Sequence, residues 1–162
     1  MKRTIIKNAK IINEGEIFES DILIEGQYIS KVAKSISPNF PNTTIIDAEG
    51  NYVMPGIIDD QVHFREPGLT YKGNIYTESR AAVAGGITSY FEMPNTTPNT
   101  TSIKELNYKF KIANDSSIAN YAFMFGGTNS NIDEILRTNI CEVPAIKLFL
   151  GSSTGNMLVD DL

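Results

Sequence analysis

Gln61, His63 and Arg65 stand at i, i+2 and i+4 in the segment Pro55-Gly56-Ile57-Ile58-Asp59-Asp60-Gln61-Val62-His63-Phe64-Arg65-Glu66-Pro67-Gly68. On an extended strand that spacing turns the three polar side chains to one face and Ile58, Val62 and Phe64 to the other. Polar, metal-capable groups opposite an apolar face are the pattern of a site wall. His63 is the chain's one histidine, open to a structural role or to metal ligation through a neutral imidazole nitrogen. Gln61 offers a neutral amide oxygen, a weaker ligand than imidazole, and is equally readable as a hydrogen-bonding polar residue. The Arg65 guanidinium can grip a carboxylate through two parallel hydrogen bonds, or form a surface ion pair with Glu66.

Two further residues belong with these. Asn95 lies in Met93-Pro94-Asn95-Thr96, just past a run that reads as a strand, Ile87 to Met93. Lys147 lies in Ala145-Ile146-Lys147-Leu148-Phe149-Leu150, where alternation groups it with Ala145 and Phe149 and sends Ile146, Leu148 and Leu150 to the helix-facing side. A lysine pointing inward is costly unless paired or modified, and the alternative is an ammonium that snorkels to solvent. Asp59 and Asp60 are adjacent on a strand and face opposite ways, so they are not an acid–base pair; Asp59 is expected to support the site from behind. Gly151 to Asn156 lacks the spacing of a phosphate loop. Cys141 is expected to be a packing residue.

The elements that must position these residues change character along the chain. Residues 4 to 12, 21 to 33 and 44 to 47 are β-rich and separated by turn signals, which predicts a small antiparallel sheet. From Gly56 the rhythm becomes strand, helix, strand. Helices are expected at Ile75 to Val83, Ser102 to Asn114 and Asn131 to Arg137, with Ile103, Leu106, Phe110 and Ile112 on one face of the second. Further strands are expected at Tyr121 to Phe125 and Ala145 to Leu150. This alternation predicts an α/β fold with a parallel sheet. The expected division is 1–54 and 55–162.

The segment from Pro55 to Gly68 resembles the first barrel strand of the amidohydrolase superfamily, and within it the dihydroorotases, whose pattern is Pro-Gly-x-Ile-Asp-x-His-x-His-x-Arg-Glu-Pro-Gly. The match runs through Asp59, His63, Arg65, Glu66, Pro67 and Gly68; Gln61 stands where the family has its first metal-binding histidine. The Met-Pro-Asn-Thr motif at Met93 to Thr96 extends the resemblance, and it continues moderately around Lys147. The resemblance implies an incomplete (β/α)8 barrel of about four β/α units, preceded by part of a small β-sandwich, since a whole barrel takes about 250 residues. It implies one or two zinc ions, with His63, Gln61 and a carboxylated Lys147 as ligands. It implies that Arg65 and Asn95 hold the substrate carboxylate while zinc activates a water. The reaction would be reversible ring opening of dihydroorotate to carbamoyl aspartate, with the general-base aspartate expected beyond residue 162. The alternatives are a non-catalytic dihydroorotase-like subunit supporting a partner enzyme, or a hydantoinase or allantoinase acting on a related ring.

Composition narrows the partners. At 41% hydrophobic and 20% charged, the chain is an ordinary globular sequence. Its net charge of −5 argues against nucleic acid and anionic membrane surfaces. No stretch approaches the roughly 18 apolar residues of a membrane span. One cysteine rules out an intramolecular disulfide and fits a cytoplasmic setting. The half-built barrel leaves an open sheet edge, so residues 1–162 alone are expected to be inactive and either oligomeric or poorly soluble; the complete protein is expected to be a homo-oligomer.

Overall fold

The computed structural model describes residues 2–39, 41–151 and 157–160. Two compact units divide the chain, Met1–Pro55 and Gly56–Leu162.

The first unit is a five-stranded sheet around β1 (Arg3–Asn13). β2 (Glu16–Glu25) returns antiparallel to β1 and β3 (Tyr28–Ala33) antiparallel to β2. The β1–β2 turn uses Glu14 and Gly15, both at positive φ (50° and 82°), the arrangement that a two-residue type I′ hairpin requires. On the other side of β1, both β4 (Thr43–Asp47) and β5 (Tyr52–Val53) run parallel to it. This corrects the expected antiparallel sheet. The connection after Ala33 is long enough to carry the chain across the sheet, so β4 starts beside the start of β1, as parallel pairing requires. Buried Asp21 fixes that crossover: its two oxygens accept the Asn8 N–H at 3.0 Å and the Ile36 N–H at 2.9 Å.

The second unit alternates strands and helices. β6 (Ile57–Val62), β7 (Ile87–Glu92) and β8 (Asn120–Phe123) form a parallel sheet in the order β6-β7-β8. At Met124 the chain changes partners. The Met124 N–H donates to the Glu92 carbonyl at 3.0 Å and the Phe125 N–H to the Ala145 carbonyl at 3.2 Å. β9 (Phe125–Gly126) then pairs in parallel with β10 (Ile146–Lys147). Parallel neighbours thus follow one another in chain order, with α1 (Ile75–Ala84), α2 (Ile103–Ser116) and α3 (Ile132–Ile135) in the connections.

Local chemistry sets the helix ends. Asn74 accepts the Thr77 N–H at 2.9 Å while the Thr77 hydroxyl reaches back to Asn74, a capping box, and α1 stops at Gly85-Gly86. Ser102 caps α2, and Glu134 accepts the Ile103 N–H at 2.7 Å, satisfying one of the free donors of that helix end. Phe64, Ile75, Tyr90, Leu106, Ala113, Phe123, Phe125 and Val143 make the core between sheet and helices. Phe64 packs against Tyr90 with centroids 4.4 Å apart and the rings tilted by 44°.

Several expected elements differ. Ile103, Leu106, Phe110 and Ile112 of α2 do pack on the core as expected, but its buried residues are Leu106, Lys109 and Ala113, so the inner face includes a lysine that the apolar pattern passed over. α3 spans four residues and β10 two. Leu148 and Leu150 are exposed rather than helix-covered. Ile58 is exposed while Val62 and Phe64 pack inward, so the apolar face of β6 is covered only at its end. Cys141 is exposed and is not a packing residue. Of the Gly151 to Asn156 stretch, residues 152–156 lie outside the described residues.

Candidate active site

The candidate residues gather where β6, β7 and β10 end. Gln61 is inside β6 and exposed, its N–H bonded to the Asp59 carboxylate at 3.1 Å. The strand ends at Val62, so His63 and Arg65 stand in the loop beyond it. The i, i+2, i+4 strand alternation therefore does not place them; the loop does. The Val62 carbonyl accepts the Met93 N–H at 2.9 Å, which holds the ends of β6 and β7 side by side. Farther out, the Thr97 N–H donates to the Pro67 carbonyl at 3.0 Å. Two loops, 63–69 and 93–100, are thus tied together at both ends.

Between those ties, His63 Nδ1 and Asn95 Oδ1 meet at 2.9 Å. An amide oxygen accepts, so this contact puts the imidazole proton on Nδ1 and the lone pair on Nε2. It also leaves the Asn95 amide NH2 as a donor. Partial burial of the ring lowers the His63 pKa. The Asn95 bond opposes that, and the charges of Arg65, Lys147 and Lys109 reinforce it. At neutral pH His63 is therefore an uncharged ring among three cations. The same field shows that Arg65 and Lys147 come within electrostatic reach of it.

Arg65 has φ 72°, in the left-handed region that a non-glycine residue seldom adopts. Its N–H donates to Glu92 Oε1 at 3.2 Å. Its neighbour Glu66 does not pair with it; Glu66 Oε2 accepts the Ile75 N–H at 2.8 Å, at the start of α1. Lys147 is half-buried, and its ammonium lies 5.3 Å from the Phe149 ring centroid.

Glu92 and Lys109 were not legible as site residues from motif spacing. Both are fully buried and form an ion pair, Glu92 from the end of β7 and Lys109 from α2. Lys109 Nζ also donates to the Met93 carbonyl at 3.0 Å. Burial pushes the Glu92 carboxyl up and the Lys109 ammonium down, each opposed by the other's charge. A signal existed: Lys109 sits at i+3 from Leu106 and i−4 from Ala113, on the inward helical stripe.

The donors present do not by themselves fit a zinc ion, which takes three or four ligands. Only one imidazole nitrogen is presented, Gln61 contributes at most an amide, and Lys147 as an ammonium repels a cation. Among the described residues no group of three or more His, Cys, Asp or Glu could hold a metal.

Known proteins resemble this chain in sequence and in fold. The dihydroorotase of Methanosarcina acetivorans is 38% identical over 157 residues, covering 96% of this chain and 33% of that protein. The dihydroorotase of Staphylococcus aureus strain Mu50 is 42% identical over 113 residues, covering 70% of the chain and 26% of that protein. By sequence this chain is a relative of the dihydroorotases. It spans about a third of the length of the curated relatives it matches. Among solved structures, the L-hydantoinase (dihydropyrimidinase) of Arthrobacter aurescens superposes with a TM-score of 0.90 at 30% identity, covering 98% of the chain and 35% of that protein. The D-hydantoinase (dihydropyrimidinase) of a Thermus species gives 0.81, also at 30% identity and with the same coverage. No family model matches. The chain is thus similar in sequence to dihydroorotases and in fold to hydantoinases.

Proposed function

We propose that the protein carrying this chain is a metal-dependent cyclic amidohydrolase that opens the dihydroorotate ring to carbamoyl aspartate and closes it again. The observation that carries this reading is the bond between His63 and Asn95 across two tied loops, with Arg65 rising from the same turn. In this reading Gly56–Leu162 is the first part of a (β/α)8 barrel, supported by parallel strand neighbours in chain order with a helix in each of three connections. Met1–Pro55 is part of a β-sandwich. Sites of such barrels sit at the C-terminal strand ends, where His63, Arg65 and Asn95 stand.

The chain's own residues then divide the work. Arg65 offers a planar pair of donors to the ring carboxylate, and the Asn95 amide NH2 offers another. Asn95 simultaneously fixes the His63 tautomer and leaves Nε2 as the donor nitrogen. His63, Gln61 and a carboxylated Lys147 would be this chain's contribution to a zinc site. Bound zinc would supply an activated water. Carboxylation would turn Lys147 from a repelling cation into an anionic ligand. The substrate is a small molecule, and no helix among the described residues is long and apolar enough to cross a membrane. We place the protein in the cytoplasm, as a homo-oligomer.

The test is kinetic, on the full-length protein with zinc. Dihydroorotate turnover is measured alongside the competitive Ki of its methyl ester, which keeps the ring and masks the charge. Arg65→Met is expected to raise KM for dihydroorotate by about a hundredfold, the usual cost of losing a hydrogen-bonded charge partner. The ester's Ki should stay where it was. No turnover of dihydroorotate, or preferred turnover of hydantoin or allantoin, would overturn the assignment. The hydantoinase fold match makes those two rings the necessary controls.

A further inference from the structure

Glu92 and Lys109 are 1% and 0% exposed, and their charges meet inside the second unit. Such a pair adds little stability over a well-packed apolar couple, because both ions lose their water. Leu106 and Ala113, on the same face of α2, already serve the packing. What distinguishes the pair is where its remaining hydrogen bonds go. Glu92 Oε1 takes the N–H of Arg65, whose backbone is held at φ 72°. Lys109 Nζ takes the carbonyl of Met93, two residues before Asn95. One buried unit therefore reaches the backbone of both loops that carry the proposed carboxylate grip.

We propose that Glu92 and Lys109 are positioning residues that set the separation and direction of Arg65 and Asn95, and through them the protein's selectivity for a ring bearing a carboxylate. This rests on the assignment of Arg65 and Asn95 as the carboxylate grip. Glu92 acts from the β7 side: it holds the Arg65 N–H, which fixes the direction in which the arginine leaves its turn. Lys109 acts from the helix side: it anchors the carbonyl immediately before Pro94-Asn95. The paired charges fix Glu92 and Lys109 against each other, so the two loops cannot drift independently. A displacement of about 1 Å at such a site is enough to cost a large factor in substrate use.

The experiment uses the full-length protein with zinc and compares Glu92→Leu/Lys109→Met with wild type. The two apolar residues fill the same space and remove both hydrogen bonds. The expected result is a rise of about tenfold in KM for dihydroorotate, kcat within about twofold, and an unchanged Ki for the methyl ester. Glu92→Gln/Lys109→Met keeps an amide oxygen for the Arg65 N–H, so it should recover part of that loss. It also stands in if the leucine variant does not fold, with a rise of about threefold expected. A wild-type KM in the variant that folds would overturn the proposal. So would parallel losses of dihydroorotate and ester binding alongside a lower melting temperature, since that is the signature of a purely structural pair. Arg65→Met separates the two ideas. If it spares KM, the carboxylate grip itself is wrong; if it raises KM and the buried-pair variants do not, only the positioning role fails.

Discussion

Tyr90 has no exposed surface, and its hydroxyl donates to Ser117 Oγ at 3.1 Å. Burial pushes its pKa up to about 12, against 10.0 for the free side chain. Between those values the unfolded chain gives up a proton that the native protein keeps. Stability is therefore full below pH 10 and falls as pH rises toward 12, by up to about 1.4 kcal/mol per unit. Tyr90→Phe is expected to cost about 1 kcal/mol at neutral pH and to flatten that alkaline slope, as denaturant melts from pH 8 to 12 would read out. Gln61 makes a second test at this scale. If the complete protein holds two zinc ions, the neutral Gln61 amide would make the one it ligates the more weakly held. Gln61→His should raise bound zinc per protein after mild chelation, and two equally tight zincs in the wild type would contradict the idea. His63, Arg65 and Asn95 were legible in the sequence because motif residues announce themselves by type and spacing. Glu92 and Lys109 were not, because a buried ion pair is written in two distant segments: Glu92 reads locally as the one charge closing an apolar strand, and Lys109 as one of several charges along α2.

The elements matter here chiefly through their ends. The loop after β6 turns back at Gly68, which has φ 84° and lies against Thr97. A Cβ on Gly68 would fall on the Thr97 carbonyl oxygen and side chain. Gly68→Ala should therefore force apart the two tied loops, costing upwards of about 2 kcal/mol and raising KM for dihydroorotate, checked by thermal melts and kinetics together. α1 is attached to the same loop through the Glu66 carboxylate on the Ile75 N–H, next to the Asn74–Thr77 capping box. Asn74→Ala should cost about 1 kcal/mol without moving KM, because the Asn74 side chain bonds its own helix end at Thr77 and the Glu66 bond to Ile75 is kept. These ends also show where sequence reasoning stops. The stop of α1 at Gly85-Gly86 and the start of α2 at Ser102 follow from local chemistry and were readable, whereas the Asn74 cap emerged with the structure. The parallel pairing of β4 with β1 was not, since the same alternation serves either direction and only the crossover decides. The break between β8 and β9 at Met124 was equally hidden, because it comes from a change of hydrogen-bonding partner and not from a turn residue.

At the scale of the molecule the notable fact is apolar surface left in the open. In the second unit Ile57 and Ile58 on β6 are 49% and 61% exposed, and Leu150, beyond β10, is 74% exposed. Ile57 and Ile58 lie on β6, an outer strand of the sheet β6-β7-β8, and Leu150 follows β10 of the β9–β10 pair. Strand edges with apolar side chains invite another strand to pair with them. In the first unit Ile17, Tyr28, Ile29 and Ile45 are each more than half exposed. Lone exposed apolar residues are commonplace, but groups of this kind mark surfaces built to be covered. The matched relatives are about three times as long as this chain, so they have the length to cover such surfaces. Residues 1–162 expressed alone are accordingly expected to elute as oligomers or to precipitate, and to show no ring-opening activity even with added zinc. The second expectation has its own cause: the donors among the described residues do not complete a metal site. Size-exclusion chromatography with light scattering, run beside a dihydroorotate assay, separates the two. A soluble inactive monomer would mean that the exposed strands tolerate water and only the ligand argument holds. A soluble monomer with activity would contradict both, and would require the chemistry to run on His63, Gln61 and Lys147 alone.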